Sequence, residues 1–591
     1  MFKKFNFYIV SRLVFITVLG VSVYFIFCSK DIVFLCSWKL FRWGASHFFE
    51  FPVLLDKYRI IFVASVSVIA LAVMVFSKTY IAHEKYFLRF HLLVLSFVAS
   101  IFLLILRPNL ISILFGWDGL GVTSYLLVIY FQSSKSYNAG IVTALRNRVG
   151  DVLILLSIGG ILINSSWNFI ISFIDLKNFY FYIFIILLVI ASCTKRAQIP
   201  FSAWLPAAMA APTPVSSLVH SSTLVTAGVY LIIRFSDCLS NSFIAFFLLF
   251  LGTLTMLIAG GSALFEIDMK KIVALSTLSQ LGLIIRALGM GLYDIAFFHI
   301  LTHAYFKALL FMTVGNIIHM RRDYQDLRKV GVCINTSSAT ISFSLVRNIS
   351  LCGAPFIAGF YSKDVWLELA NIKNISSLIF VGFYLATILT AVYTLRFICL
   401  IIVRQFKVVC SNVKDLDWQI ITAMSVLWPL AIIGGRILRW TCFTKPFCVH
   451  LSIFTKNLTL LVIVVGVIIR FFIFKNFYRN KSLQKRFWSL GVIWALPLIT
   501  TPLINYFSLN ISHMRRNYID LFWSHKTLFL LVEKVRLSNQ EIYKNKIRRH
   551  YFYLIVILFL IIFRLTYLHI LNLFKSWKFK ISYAKHLYVK Q

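Results

Sequence analysis

The sequence predicts an all-α polytopic membrane protein with about 15–16 transmembrane helices, and three observations carry that prediction. The 591 residues are 60% hydrophobic and 13% charged, with mean hydropathy +0.86, a balance that no soluble fold of this length sustains. Apolar runs of the roughly 20 residues needed to cross a hydrocarbon core recur from end to end. The alternating ten-residue signal of a barrel is missing, and helices satisfy their own backbone hydrogen bonds in lipid. The runs fall at 5–28, 57–77, 87–106, 108–131, 141–164, 179–198, 213–234, 242–265, 270–289, 292–318, 337–360, 376–402, 418–436, 457–475, 486–508 and 551–574.

Texture divides the chain. Residues 1–84 hold N-terminal peripheral transmembrane helices with no internal charge pattern. The opening Met-Phe-Lys-Lys and the apolar run to Cys28 lack a small-residue cleavage site, which predicts an uncleaved first helix. Residues 85–405 carry nearly every intramembrane ionisable group and most of the Gly and Pro punctuation. Residues 406–509 return to apolar helices joined by basic loops. The segment 510–550 is too charged to span, mixing Ile519, Phe522, Leu530, Leu531 and Val535 with Arg515, Arg516, Lys534 and Arg536. Fully helical, it would run about 60 Å at 1.5 Å per residue. An amphipathic helix on the membrane, anchored by the span within 551–591, fits this pattern, with an extended basic loop as the competitor.

A formal charge of +39 suggests nucleic acid at first sight. Its distribution argues otherwise. From Lys475 onward there are twenty Lys and Arg against only Asp520, Glu533 and Glu541. They sit in loops and in the tail, where anionic headgroups or acidic partner subunits are the natural counter-charge. No stacking platform or recognition motif separates them. The ten cysteines are scattered without a C-x-x-C pair, so neither an iron–sulfur cluster nor a zinc ribbon is suggested.

Two interruptions organise the middle zone. Lys195-Arg-Ala-Gln-Ile-Pro200 and Trp204-Leu-Pro206 follow an apolar run, and proline, lacking an N–H, must break the helix there. Ala211-Pro-Thr-Pro214 restarts one, with prolines acceptable in its first turn. Cys352-Gly-Ala-Pro355 and Gly359-Phe-Tyr-Ser-Lys363-Asp364 form a similar break, again beside a lysine. Irregular backbone at membrane depth is tolerated where it lines a cavity, and a matched pair of breaks points to an inverted-repeat transporter site. Two interfacial loops that carry lysine are the plainer alternative.

Ionisable groups at bilayer depth cost about 3 kcal/mol or more and are kept for a reason. His299, His303 and Lys307 stack at i, i+4, i+8 on one helix face, about 6 Å per step, a candidate proton wire. The His pair lacks the third ligand and the glutamate of a zinc site. Lys307 lies too deep to snorkel. Asp118, in Gly116-Trp-Asp-Gly-Leu-Gly121, is the acid expected to partner Lys195, unless it caps a neighbouring helix. Asp151 has Arg148 three residues back, so a structural ion pair competes with a proton-carrying role. His220 sits among Ser216, Ser217, Ser221, Ser222 and Thr223, which either hold waters or make it a hydrogen-bonded core histidine. Lys363 is expected to pair locally with Asp364. Lys270 and Lys271, at a span edge, read as interfacial anchors.

At these residues the chain resembles the antiporter-like subunit 5 family of mitochondrial NADH:ubiquinone oxidoreductase, respiratory complex I. The resemblance rests on Arg107-Pro-Asn-Leu-Ile-Ser-Ile-Leu-Phe-Gly-Trp-Asp-Gly-Leu-Gly121, Lys135-Ser-Tyr-Asn-Ala-Gly140, Asn147-Arg-Val-Gly-Asp151 and Gln198-Ile-Pro-Phe-Ser-Ala-Trp-Leu-Pro206. It continues through Ala211-Pro-Thr-Pro-Val-Ser-Ser-Leu-Val-His220, His299 to Phe311 and Pro355-Phe-Ile-Ala-Gly-Phe-Tyr-Ser-Lys-Asp364. It covers about residues 85–405, and the layout at 510–574 extends it by architecture alone. The resemblance implies two inverted five-helix repeats, each with a broken helix, and a hydrated axis of charged residues.

Carried over, Asp118 matches the acid of the first repeat, Lys195 its broken-helix lysine and His220 the bridging histidine. His299, His303 and Lys307 match the central axis, Lys363 the second broken-helix lysine, and Asp151 an acid of the region where protons enter. Proton translocation coupled to NADH:ubiquinone electron transfer is then the implied function. Flavin, iron–sulfur clusters and NADH would sit on other subunits, with no cofactor on this chain. Implied partners are adjacent membrane-arm subunits along the lateral helix and anionic phospholipids such as cardiolipin, in the mitochondrial inner membrane. A cation/proton antiporter subunit without redox coupling, or a non-pumping structural subunit, are the rivals. Arg196 departs from the family by adding a second cation beside Lys195 unless it faces away, and Arg286 lies in a run expected to be uncharged.

Overall fold

In the computed structural model the chain divides into two units, Met1–Thr500 and Thr501–Gln591. The structure describes residues 2–28, 34–43, 47–82, 84–162, 179–239, 242–321, 323–330, 337–372, 376–402, 417–442, 451–477, 504–517 and 528–530.

The first unit opens with α1 (Phe2–Cys28) and a hairpin of β1 (Phe34–Trp43) and β2 (His47–Leu55), paired antiparallel from Phe34↔Leu55 to Trp43↔His47. Sequence periodicity gave no strands here, yet both segments are rich in aromatic residues, which suit a pleated surface. The hairpin is fastened by Arg107. Its guanidinium donates to the carbonyls of Phe51 (3.3 Å) and Pro52 (3.1 Å) and lies 3.4 Å over the Phe51 ring.

Then come α2 (Lys57–Tyr80), α3 (Phe87–Leu106), α4 (Leu110–Val128), α5 (Ser134–Leu162) and α6 (Phe179–Lys195). The α2 helix, expected at the periphery, is largely buried against α1 and two later helices, because it is apolar almost all round. At its start Asp56 Oδ2 accepts from Arg59 (3.2 Å) and from Arg234 (2.9 Å), tying the hairpin's exit to a distant helix end.

The first break follows α6. Ala197 takes a positive φ of 55°, and Ile199–Pro200 is cis. Short α7 (Trp204–Ala207) leads through a 3₁₀ turn to α8 (Thr213–Val215), a π-helical stretch Ser216–Thr223 and α9 (Leu224–Arg234). These last three form one 22-residue span.

The rest of the core is α10 (Ser242–Ala263), α11 (Met269–Gly289), α12 (Tyr293–Met320) and α13 (Ser338–Cys352). The apolar windows of α11 and α12 are wholly buried, and α12 packs on α2, α11, α13, α16 and the first π-helical stretch. Residues 337–360 were expected to cross as one run, but α13 stops at Cys352. Gly353 at φ 90° caps it in the left-handed region that an L side chain avoids.

A second π-helical stretch, Phe360–Asp364, leads into α14 (Val365–Ile372). The unit closes with α15 (Ser377–Ile402), α16 (Trp418–Ile432), α17 (Gly434–Cys442) and α18 (Ile453–Phe477). Among the described residues nine helices are long and apolar enough to cross a membrane. The second unit contributes α19 (Ile504–Arg515). Most of the lateral segment 510–550 and all of the span 551–574 lie outside the described residues.

Candidate functional site

The two helix breaks each place a buried lysine against a backbone carbonyl. Lys195 ends α6 and is completely buried. Its ammonium donates to the carbonyl of Trp117 on α4 at 2.6 Å and stands 3.7 Å from the centroid of the same indole ring. The Trp117 Nε1 proton goes to Asp151 Oδ1 at 3.0 Å, and Arg148 pairs with Asp151 Oδ2 at 3.4 Å. The competing ion pair read for Asp151 therefore exists, and Asp151 is also joined to Lys195 through one tryptophan.

Asp118 does not pair directly with Lys195; no ion pair within 4.0 Å joins them among the described residues. Asp118 Oδ1 is buried without a hydrogen-bond partner among the described residues. Arg196 turns back along α6, donating to the Ser192 carbonyl at 3.1 Å and to its hydroxyl, against Gly228 on α9.

His220 lies in the first π-helical stretch and is 1% exposed. Neither ring nitrogen has a hydrogen-bond partner among the described residues. The neighbouring hydroxyls explain this: Ser216, Ser217, Ser221, Ser222 and Thr223 all donate to carbonyls of their own helix. The ring of Trp204, from the first break, is 6.1 Å away between centroids.

On α12 the stacking read from spacing is present. The rings of His299 and His303 are 6.1 Å apart between centroids. His299 Nδ1 bonds to Ser362 Oγ at 3.0 Å, which links the file to the second break. His303 has no partner on either nitrogen among the described residues. Lys307, completely buried, donates to Ser276 Oγ on α11 at 2.6 Å.

Lys363 does not pair with Asp364. It donates to Thr390 Oγ1 (3.1 Å) and to the carbonyls of Leu351 and Cys352 (3.4 Å each), which the break has released from helical bonding. Asp364 reaches Gly353, beside the carbonyls that hold Lys363, without closing an ion pair, and both of its buried oxygens lack hydrogen-bond partners among the described residues. Lys270 also differs from the anchor expected of it. It is buried and donates to the Ala211 carbonyl at 3.2 Å, while Lys271 pairs with Asp268 at 3.0 Å.

Sequence reasoning missed Trp117, Ser276, Ser362 and Thr390, the residues that receive the basic groups or join them. An apolar-span serine or threonine carries no signal of its own. Arg286 is buried with its guanidinium 3.8 Å over the Phe383 ring and 5.4 Å from that of Trp366, so aromatic faces take the place of a carboxylate. The arrangement as a whole is a buried file of titratable groups, several with orphaned polar atoms that require water as a partner. Such a file has the chemistry to pass protons.

Two family models match the chain. Residues 108–390 match the membrane domain described as NADH:quinone oxidoreductase/Mrp antiporter, and residues 393–568 the C-terminus of NADH dehydrogenase subunit 5. The chain is similar to NADH-ubiquinone oxidoreductase chain 5 of Anopheles gambiae, 42% identical over 551 residues, covering 89% of this chain and 95% of that one. It is similar to the same chain of Locusta migratoria, 44% identical over 492 residues, covering 82% and 86%. Among solved structures, a chain of the Mrp complex from Dietzia sp. DQ12-45-1b shares the fold at TM-score 0.67 and 20% identity. The match covers 92% of this chain but only 58% of that one. A chain of an archaeal membrane-bound sulfane sulfur reductase superposes at TM-score 0.65 and 18% identity, covering 78% and 92%.

Proposed function

The chain belongs to the family of NADH-ubiquinone oxidoreductase chain 5, and from that membership we propose that it is the proton-translocating membrane-arm subunit of respiratory complex I. It couples NADH:ubiquinone electron transfer to proton pumping. The observation that carries this reading is Lys307, a fully buried ammonium halfway along a 28-residue apolar helix, held by a single serine.

Protonation changes at Asp118, Asp151 and Lys195 are relayed through His220, His299 and His303 to Lys307, and from there to Lys363 and Asp364. Moving one charge against a potential of about 180 mV costs roughly 4 kcal/mol. A coupling of about 1–3 kcal/mol between adjacent sites, repeated along the file, is of the right order. The chain holds no redox centre of its own; flavin, iron–sulfur clusters and NADH sit on other subunits. It works in the mitochondrial inner membrane beside antiporter-like subunits, strapped to them by the lateral helix at 510–550. Anionic phospholipids such as cardiolipin meet the basic loops and tail.

A native gel of the mildly solubilised membrane, with mass-spectrometric identification of what co-migrates, tests the assignment. Co-migration with flavin and iron–sulfur subunits of an NADH-oxidising assembly is expected. Membrane antiporter partners alone, without redox subunits, would overturn the coupling. Lys307→Met and Lys363→Met should lower the protons moved per NADH oxidised, and an unchanged stoichiometry would make the subunit structural.

A further inference from the structure

We propose that Arg347 is a cation filter in the proton path: a fixed positive charge beside a one-water cavity between Lys307 and Lys363, which admits a relayed proton and excludes Na⁺. The proposal rests on the reading of the chain as a proton pump.

The cavity has a volume of about 10 Å³ and is lined in part by Ser276, Arg347, Asn348, Leu351, Tyr393 and Thr394. A space of that size holds about one water. Its walls carry the partners of both lysines. Ser276 accepts from Lys307, and the Leu351 carbonyl accepts from Lys363. Thr390, the other acceptor of Lys363, receives the Thr394 hydroxyl on its own carbonyl at 2.9 Å. Each lysine thus bonds to a residue that lines one water-sized space.

Arg347, on α13, is completely buried at this junction. Its Nη2 donates to Asn348 Oδ1 at 2.5 Å, while Nε and Nη1 have no hydrogen-bond partner among the described residues. No carboxylate pairs with it among those residues. The titratable groups that interact with it are Lys307 on α12, Cys352 on its own helix and Tyr393 on α15. The α11 helix lines the cavity with Ile272, Val273 and Ser276, its cations Lys270, Lys271 and Arg286 lying outside the lining, and α16 carries no ionisable group.

A lysine can give up its proton and become neutral; a guanidinium cannot. Of the three cations around the cavity, Arg347 alone stays charged at every step. A second cation resting about 4 Å from it, at the effective dielectric of a protein site, has its occupancy reduced roughly a thousandfold. Na⁺ would have to rest there stripped of its shell. A relayed proton does not: the Lys307 ammonium gives its proton to Ser276 Oγ as the Ser276 hydroxyl, turned from the Val273 carbonyl, gives its own to the cavity water, and that water gives another to the Lys363 amine. A fixed arginine that bars cations from a narrow path while water and hydrogen bonds continue through it is a known physical arrangement in pores.

The test uses the assembled complex reconstituted in vesicles, with NADH-driven acidification and ²²Na⁺ uptake measured together. Wild-type complex should move protons with no Na⁺ above background. Arg347→Gln should raise the ratio of Na⁺ to H⁺ at least tenfold in whatever pumping it retains. If that variant fails to assemble, Asn348→Asp, which sets a carboxylate on the guanidinium, is read in the same way. NADH-driven Na⁺ uptake by wild type, or an unchanged ratio in the assembled variant, would overturn the proposal. Loss of NADH-driven proton movement in wild type would instead overturn the pumping reading beneath it.

Discussion

Lys195 takes two things from Trp117, a carbonyl acceptor 2.6 Å from its ammonium and an aromatic face 3.7 Å away. The indole N–H of that same residue holds Asp151. Trp117→Phe keeps the face and loses the N–H, a cost of about 1 kcal/mol or a fivefold drop in pumping rate. Trp117→Ala also loses a desolvated cation–π contact of about 2 kcal/mol and should fall at least thirtyfold. Equal rates for the two variants, measured as NADH-driven acidification of vesicles, would show that the ring does not matter.

Ser276→Ala leaves the Lys307 ammonium without its acceptor. Hydrogen bonds to charged groups contribute about 1.5–3 kcal/mol, so proton pumping should fall tenfold or more while NADH oxidation by the redox subunits, measured uncoupled, persists. A variant as well coupled as wild type would mean that water replaces the serine at no cost.

Asp56→Asn strips the charge from an acid that two arginines share, Arg59 at 3.2 Å and Arg234 at 2.9 Å. Removing one member of a partly buried ion network costs about 3 kcal/mol. The variant should assemble poorly, with a lower thermal midpoint of the intact complex, and a midpoint within a degree of wild type would refute the fastening role.

Glu266, between α10 and α11, has its carboxyl pushed above the ordinary value by burial. Lys271 opposes the shift, Asp268 adds to it, and Arg396 opposes it more weakly. With the folded value raised, the native state holds a proton that the unfolded chain has already lost, so stability falls as pH rises through the folded value and is recovered on acidification. The segment is paired with the loop after α12 through Met269 N to Gln325 O (3.0 Å) and Leu327 N to Ile267 O (3.1 Å). Amide exchange at Met269 and Leu327, corrected for intrinsic rate, should slow as pH is lowered from neutrality toward the ordinary carboxylate range. Glu266→Gln should abolish that dependence; a variant that keeps it would clear Glu266 as the cause.

Much of this site is legible in the chain. Proline and glycine mark both breaks because backbone chemistry is local, and the i, i+4 spacing of His299 and His303 gives their observed separation. What could not be read is tertiary. The acceptor of Lys307 lies 31 residues away on another helix, and that of Lys195 is a backbone carbonyl that any residue type would supply. Asp118 and Asp364 were natural electrostatic partners on paper. Neither closes an ion pair, because Lys363 takes Thr390 and two freed carbonyls and Lys195 takes the carbonyl of Trp117. The hairpin at Phe34–Leu55 was missed because its apolar residues do not alternate cleanly with polar ones.

The complete enclosure of α12 sets a constraint on how the chain is made. Its neighbours include α2, synthesised long before it, and α16, which begins at Trp418, after α12 ends at Met320. A ribosome adding about 5–20 residues per second needs roughly 5 to 20 seconds to cover that interval. For that time Lys307 sits in a newborn helix whose wall is unfinished, and a chain truncated before α16 leaves it so permanently. Early stop mutations should therefore yield fragments that the membrane's quality-control proteases recognise by an uncovered face of α12.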